Sequence, residues 1–337
     1  TLKGDTITIN GIGATVDGSR ALISQAGTYV ISGNLSNGQI VVDTESKELV
    51  QLVLNGADIA FADSAPIYIL QGKSVVILLA DGSDNSVNDQ RSESVSEEPS
   101  AAIFSNGDLT LAGNGSLTVQ ANANDGISSD DGIVIAGGNI QIDAVDDGIR
   151  GKDSLVVENG TLAIRAGGDG LKSDYVADDA VVAETSDKGY LLIQGGTLQV
   201  NAGGDALSAQ NSLMISGGVL ELTTSGGSEA TSSKGIKGIL NVIIDGGTFS
   251  IDTADDAVHS NGSITINGGA FSIASGDDGM HADEALIINA GSIDFLSSYE
   301  GLEGAAITLN GGDIQVVASA DGVNVAGGAD GSGMNPA

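Results

Sequence analysis

With 337 residues, 51 Gly, 3 Pro, no Cys and a formal charge of −33 from 45 acids against 12 bases, the chain excludes several classes at once. A disulfide scaffold and a thiolate zinc site are impossible, two His are too few for a His-rich transition-metal centre, and so acidic a surface repels nucleic acid and anionic lipid, leaving cations as natural partners. A hydrophobic content of 41% supports a folded core, and no apolar run reaches the roughly 18 residues that would span a membrane.

From the N-terminus, residues 1–95 alternate apolar and polar side chains irregularly, as from Leu49 to Leu54 and Ile67 to Leu79. They are expected to form irregular first coils or a cap protecting an end strand. Thr1 is not an initiator Met, so any signal peptide is expected to be hidden by processing or by trimming before it. Residues 81–99, dense in Asp, Asn, Ser and Glu, read as a solvent loop. Residues 96–325 are continuous with the cap and regular. An acid before a small residue recurs with the small residue at Gly126, Gly148, Gly170, Ala206, Gly235, Ala257, Gly279, Gly301 and Gly322. A second phrase, a pair ending in Gly after a short apolar strand, recurs at Gly138, Gly160, Gly196, Gly218, Gly247, Gly269, Gly291 and Gly312. Both advance mostly by 22 residues and share two longer steps, which place insertions at 175–188 and 225–231. The Gly-rich stretch 326–337 reads as a tail.

Each repeat contains short alternating strands broken by Gly and shows no helical periodicity. A unit of about 22 residues cannot close a core alone, so the fold class is all-β, with repeats stacked as coils of a parallel β-helix. Ile127, Ile149, Leu171, Leu207, Ile236, Val258, Met280, Leu302 and Val323 then form one inward stack, and Ile140, Leu162, Leu198, Leu220, Phe249, Phe271, Ile293 and Ile314 another. The second Gly of each pair calls for positive φ. The acid-small position calls only for small volume, since Ala206 and Ala257 occur there. The outward apolar column through Val134, Val156, Leu192, Met214, Ile243 and Ile287 asks for cover, and the 175–188 insertion is the candidate.

Among the acids 33 are Asp, a skew towards turns and compact oxygen cages. Stacking at roughly 4.8 Å puts carboxylates over carboxylates, each pair costing about 3 kcal/mol at an effective dielectric near 20. One group comprises Asp125, Asp146, Asp147, Asp153, Asp169 and Asp174; a second comprises Asp255, Asp256, Asp277, Asp278 and Asp283. Hard oxygen ligands without Cys select calcium, with magnesium next, while the plainer role for any single Asp is to cap a turn. The bases also cluster: two positions after the small residue come Arg150, Lys172, Lys237, His259 and His281, then Glu303, with Lys152 and Lys234 alongside. This stripe either pairs internally with the Asp ladder or contacts a ligand. Neither His is read as a zinc ligand.

The stretches LVLNGADI at 52–59, SAPIYI at 64–69, ILLADGSDNSV at 77–87, AAIFSNGDLTL at 101–111, DDGIRGKDS at 146–154, GDGLKSD at 168–174 and SYEGLEGA at 298–305 resemble the bacterial secreted carbohydrate-binding β-helix family, itself similar to family-nine pectate lyases. The resemblance covers roughly residues 35–325. It implies a right-handed parallel β-helix, bound calcium, and binding of a plant-type polysaccharide such as cellulose or polygalacturonate at a secreted or cell-surface location, without established catalysis. Asp146, Asp147 and Asp153 match the local pattern of a lyase-like calcium pocket. Ala206 and Lys234 depart from it, which favours two separate clusters over a uniform array. No Trp is present, so Tyr175 and Tyr190, flanking the first insertion, are the candidates for sugar stacking.

The leading reading is a calcium-dependent polysaccharide-binding protein whose basic stripe, Arg150, Lys152, Lys172, Lys237, His259 and His281, accepts an acidic chain. A calcium-dependent lyase is the enzyme alternative, with Lys172, Lys237 or Arg150 taking the proton. A structural or adhesive surface protein is the third.

Overall fold

The computed structural model describes residues 1–93, 99–176, 187–226 and 232–326. Among them there are strands, turns and bends and no helix, so none is long and apolar enough to cross a membrane. The chain divides into two units, Thr1–Ala166 and Gly167–Ala337.

The first unit opens with two antiparallel pairs, Leu2–Gly4 with Thr6–Ile7 and Ala14–Asp17 with Arg20–Ile23. Parallel pairing then takes over. Gly27–Leu35 lies beside Val50–Phe61, which lies beside Val75–Leu79. Further on, three strands of one repeat pair with their counterparts in the next: Ile127 opposite Ile149, Ile133 opposite Leu155, and Ile140 opposite Leu162. These pairs put identical or similar side chains over one another, all buried. Burial alternates along Asn139–Ala144 and Ser154–Val157, the period expected of a sheet with one face on a core, whereas Asp125–Ser129 is buried throughout.

In the second unit, Leu171 pairs with Leu207 across the longer first step, and Leu207 with Ile236 across the second. Ile236, Val258, Met280 and Leu302 then follow at the regular spacing. Phe249 and Phe271 stack with ring centroids 4.4 Å apart and planes 5° from parallel. The last members of the two expected inward stacks differ from the rest, Val323 being exposed and Ile314 half-buried, because no described repeat follows to cover them. Val134, Val156, Leu192, Met214, Ile243 and Ile287 are half-buried. Most of both insertions (177–186 and 227–231) and of the tail (327–337) lies outside the described residues, and so does the cover expected from the first insertion.

The eight Gly closing the Gly pairs all have positive φ, between 93° and 121°. A Cβ at Gly160, Gly218, Gly269 or Gly291 would also sit 3.1–3.3 Å from the carbonyl oxygen of the equivalent Gly one repeat earlier. At the acid-small position φ is ordinary and the restriction is space, since a Cβ on Gly126 would lie 2.5 Å from Ile142 Cγ2. Ala206 and Ala257 are accommodated there, fully buried.

Within 81–99, read as a solvent loop, residues 84–89 differ from that expectation, and 94–98 lie outside the described residues. Asp84–Asp89 is a strand, paired with Val50–Phe61 on one side and Ser116–Ala121 on the other. Its inward side chains, Asn85, Val87 and Asp89, are buried. Polar composition misleads here because the polar groups are satisfied internally. Asn85 Oδ1 accepts the Ala57 N–H at 3.0 Å, and its Nδ2 donates to the Ser116 carbonyl at 3.0 Å. Asp89, 0% exposed, receives Arg91 Nε on Oδ1 and Nη2 on Oδ2, both at 2.8 Å, while Arg91 also donates to the carbonyls of Pro99 and Ala101. Removing one partner strands a charge. Arg91→Met is therefore expected to lower unfolding stability by about 3–5 kcal/mol in a urea titration, and the double variant Arg91→Met/Asp89→Leu to recover much of it.

Candidate functional site

The acid-small turns stack because each repeat returns to the same point after 22 residues, and the stacked backbone N–H groups need acceptors. The carboxylates supply them. The Asp147 N–H donates to Asp125 Oδ1 at 3.3 Å in the first unit. In the second, the N–H groups of Asp205, Lys234, Asp278 and Glu300 donate to Oδ1 of Asp169, Asp205, Asp256 and Asp278 at 2.8–3.1 Å. At Lys234, which offers no carboxylate to the next repeat, Asp255 Oδ1 takes the Asp256 N–H instead, at 2.9 Å. One oxygen of each stacked Asp thus ties two repeats together, and the other is left to find a positive partner.

In the first unit the ligand atoms of Asp125, Asp146 and Asp147 lie within 4.8 Å of one another. Asp125 and Asp147 are buried and Asp146 is exposed. Burial, then the carboxylates of Asp147 and Asp146, push Asp125 up to about 7 against the lowering influence of Arg150 and the Asp147 N–H. Asp153 is half-buried and outside this triad. Arg150 and Lys152 are half-buried, with Arg150 Nη1 3.4 Å from Ser128 Oγ.

In the second unit a base turns to each of these Asp, either from three residues further along the same repeat or from a neighbouring repeat. Lys172 Nζ is 3.1 Å from Asp169 Oδ2, and Lys237 Nζ is 3.2 Å from Asp205 Oδ2. Lys234 Nζ bridges Asp255 Oδ1 at 2.7 Å and Asp256 Oδ2 at 3.0 Å, and His259 Nδ1 meets the same Asp256 oxygen at 2.8 Å. Burial opposes both charges in that group. Asp256 and Asp255 nevertheless hold Lys234 up at about 12, and His259 and Lys234 hold Asp256 down at about 2. Asp255, Asp256 and Asp277 bring ligand atoms within 4.8 Å, with the Lys234 ammonium already against two of them.

One repeat later no ammonium is at hand, because the chain has no Lys or Arg after Lys237. Asp278 is pushed up to about 9 by burial, the adjacent Glu303 carboxyl and the charges of Asp256 and Asp277. Asp278, His281 and Glu303 form a buried group with ligand atoms within 4.8 Å.

Of the anticipated metal residues, then, the structure gathers Asp125 with Asp146 and Asp147, gathers Asp255 with Asp256 and Asp277, and places Asp278 with His281 and Glu303. Asp169 and Asp174 are half-buried members of the second unit outside these groups, and Asp283 faces His281. Of the anticipated sugar contacts, Lys172 and Lys237 are half-buried in ion pairs, Tyr175 and Tyr190 are half-buried, and Lys188 Nζ sits 5.0 Å above the Tyr175 ring. His259 and His281 differ from that expectation: both rings are buried against carboxylates, which is where neighbouring Asp draw an imidazole. Glu303, in the basic column directly after two His, joins Asp278 and His281 in a buried group that the spacing did not anticipate.

Asp125 gives a pH test. Its folded value of about 7 lies above the ordinary carboxylate range, so the folded state holds more protons between about 4 and 7, and stability falls as pH rises through that window. In chelator, thermal melts from pH 4 to 8 are expected to show this decline, and Asp125→Asn to flatten it.

Comparison with known proteins agrees with this architecture. A curated carbohydrate-binding domain-containing protein of Acetivibrio thermocellus is 36% identical over 136 residues, 39% of this chain, and the match spans about half (48%) of that relative. A solved structure of a polysaccharide lyase-like protein from C. thermocellum, a gadolinium derivative, matches with a TM-score of 0.59 and 32% identity over 74% of this chain and 94% of that one. The family model described as carbohydrate-binding domain-containing protein matches residues 17–279, and the chain belongs to that family.

Proposed function

We propose that this is a secreted or cell-surface, non-catalytic polysaccharide-binding protein that depends on calcium. Its fold is read as a right-handed parallel β-helix of about 22-residue coils, with 1–95 as cap and 96–325 as the regular array. The observation that carries the reading is the family match over residues 17–279 of a repeat array whose nearby solved relative is lyase-like. The triad of Asp125, Asp146 and Asp147 offers only hard oxygens, and its raised Asp125 marks a surplus of negative charge that suits calcium. Calcium held there would neutralise the stack and present a positive centre to an acidic sugar carboxylate. Arg150 and Lys152 lie on the same repeat to receive that chain; the candidate sugar contacts of the second unit, Lys172, Lys237, Tyr175 and Tyr190, are a separate set.

The absence of chemistry is supported by the state of the candidate bases. A general base must offer a lone pair within reach of the substrate proton. Lys172 and Lys237 are both engaged with carboxylates, and Arg150 is a guanidinium, always protonated. The lyase remains the second reading because of the lyase-like relative.

Incubation with polygalacturonate and with cellulose, with and without calcium, separates the readings. Binding that requires calcium and yields no unsaturated product is expected; unsaturated product would establish the lyase, and no binding to either polymer would overturn the module. Asp147→Asn is expected to lose much of the calcium-dependent rise in melting temperature while melting higher than wild type in chelator. At 100-fold saturation that rise corresponds to about 2.7 kcal/mol per site. Equal calcium shifts in the two proteins would remove Asp147 from the ligand set.

A further inference from the structure

We propose that the second unit contains a structural site for a divalent transition-metal ion of the zinc class, held by Asp278 Oδ2, His281 Nδ1 and Glu303 Oε2. This site lies beyond the calcium reading and does not rest on it.

Three buried polar atoms carry the proposal. Asp278 Oδ2, His281 Nδ1 and Glu303 Oε2 make no hydrogen bond, and their residues are 0%, 1% and 6% exposed. Leaving even one such group unsatisfied is costly, more so when it is charged, so three in one buried group call for a shared partner. Their ligand atoms lie within 4.8 Å of each other, with His281 Nδ1 3.7 Å from Asp278 Oδ2. Donors about 2.1 Å from one ion stand roughly 3–4.2 Å apart according to the angle between them, so small rotations complete the shell.

The fold also prepares the donors. Asp278 Oδ1 is occupied by the Glu300 N–H, which turns Oδ2 to the group. His281 pairs in register with Glu303 on the neighbouring strand, which places the two side chains together. On its other edge, His281 Nε2 lies 3.4 Å from Asp283 Oδ1, which itself makes no hydrogen bond and stands where a small rotation lets it take the ring proton, leaving the lone pair of the other nitrogen for a metal. The adjacent Asp256 also approaches His281 Nδ1, at 3.9 Å, but its Oδ2 is already occupied by Lys234 and His259.

Charge decides for a cation, and the imidazole decides which. Asp169, Asp205 and Asp256 each have an ammonium within 3.2 Å, whereas the sequence supplies no Lys or Arg beyond Lys237. A proton shared by Asp278 and Glu303 would cancel one charge and still leave His281 Nδ1 without a partner. Calcium and magnesium take oxygen shells, whereas a donor set of one imidazole and two carboxylates suits zinc, cobalt or manganese.

The test uses the whole protein, stripped with chelator, loaded with Zn(II) or Co(II), desalted, and assayed for retained metal by mass spectrometry and, for cobalt, by visible absorption. Wild type is expected to retain zinc in the presence of equal calcium. His281→Ala should retain one equivalent fewer and lose the imidazole-dependent cobalt band, Asp283→Asn should bind about 10–100-fold more weakly, and Asp313→Asn, at an exposed position outside the clustered carboxylates, should match wild type. Glu303→Gln provides a second ligand variant should His281→Ala fail to fold by circular dichroism. Wild type that retains neither metal overturns the proposal without any variant. Undiminished zinc in folded His281→Ala or Glu303→Gln also overturns it, as does displacement of the zinc by equal calcium.

Discussion

The carboxylate-to-backbone tie between successive repeats is the interaction on which the rest of the molecule turns. A turn stacked on its neighbour buries an N–H that must be accepted, and an Asp side chain is short enough to reach it from one repeat away. Using one oxygen this way commits the other to a poorly solvated position with a negative charge to balance. The paired Lys172 and Lys237, the bridging Lys234 and the inward His259 are all answers to that second oxygen. The acidity of the chain is therefore partly internal, woven into how repeats adhere.

The answers change along the sequence. Around Asp125 the countercharge is Arg150 at a distance, with Asp146 open to solvent beside two buried carboxylates. Through the first repeats of the second unit, lysines neutralise each Asp directly. At Asp256 an ammonium and an imidazole share the task, and at Asp278 only an imidazole is left. This progression separates turns that are electrostatically complete from those that call for an added ion. It also means that Lys172 and Lys237 spend their charge inward, so an acidic polymer approaching them meets half-covered ion pairs and not free ammonium groups.

Much of this was legible in the sequence because the repeat converts chain position into spatial position. Ile127 and Ile149 sit opposite each other because they occupy the same place in consecutive repeats, and Gly160 needs positive φ for the same reason as Gly138. The Asp stack was visible for the same reason, down to the break at Lys234. What stayed hidden depends on which atom of a side chain is used. Spacing cannot tell that Oδ1 accepts an N–H while Oδ2 is free for a cation, nor that His259 and His281 turn inward while Lys237 in the same column is half-covered. Residues 81–99 misled for a related cause: composition registers Asp89 as hydrophilic, whereas the fold buries it against Arg91.

The pairing of like with like has an evolutionary corollary. In the second unit, Ile236, Val258, Met280 and Leu302 contact their own homologues in adjacent repeats, and so do the Asn267, Asn289 and Asn310 side chains, which hand a hydrogen bond from one repeat to the next at 2.7 Å. A tandem duplication of one such segment in the gene inserts a rung whose upper and lower surfaces already fit, so the array can lengthen or shorten by unequal crossing-over without redesigning a core. Each added rung brings another buried turn carboxylate, however. Growth by duplication is thus limited less by packing than by the supply of a matching positive charge such as Lys234 gives Asp256.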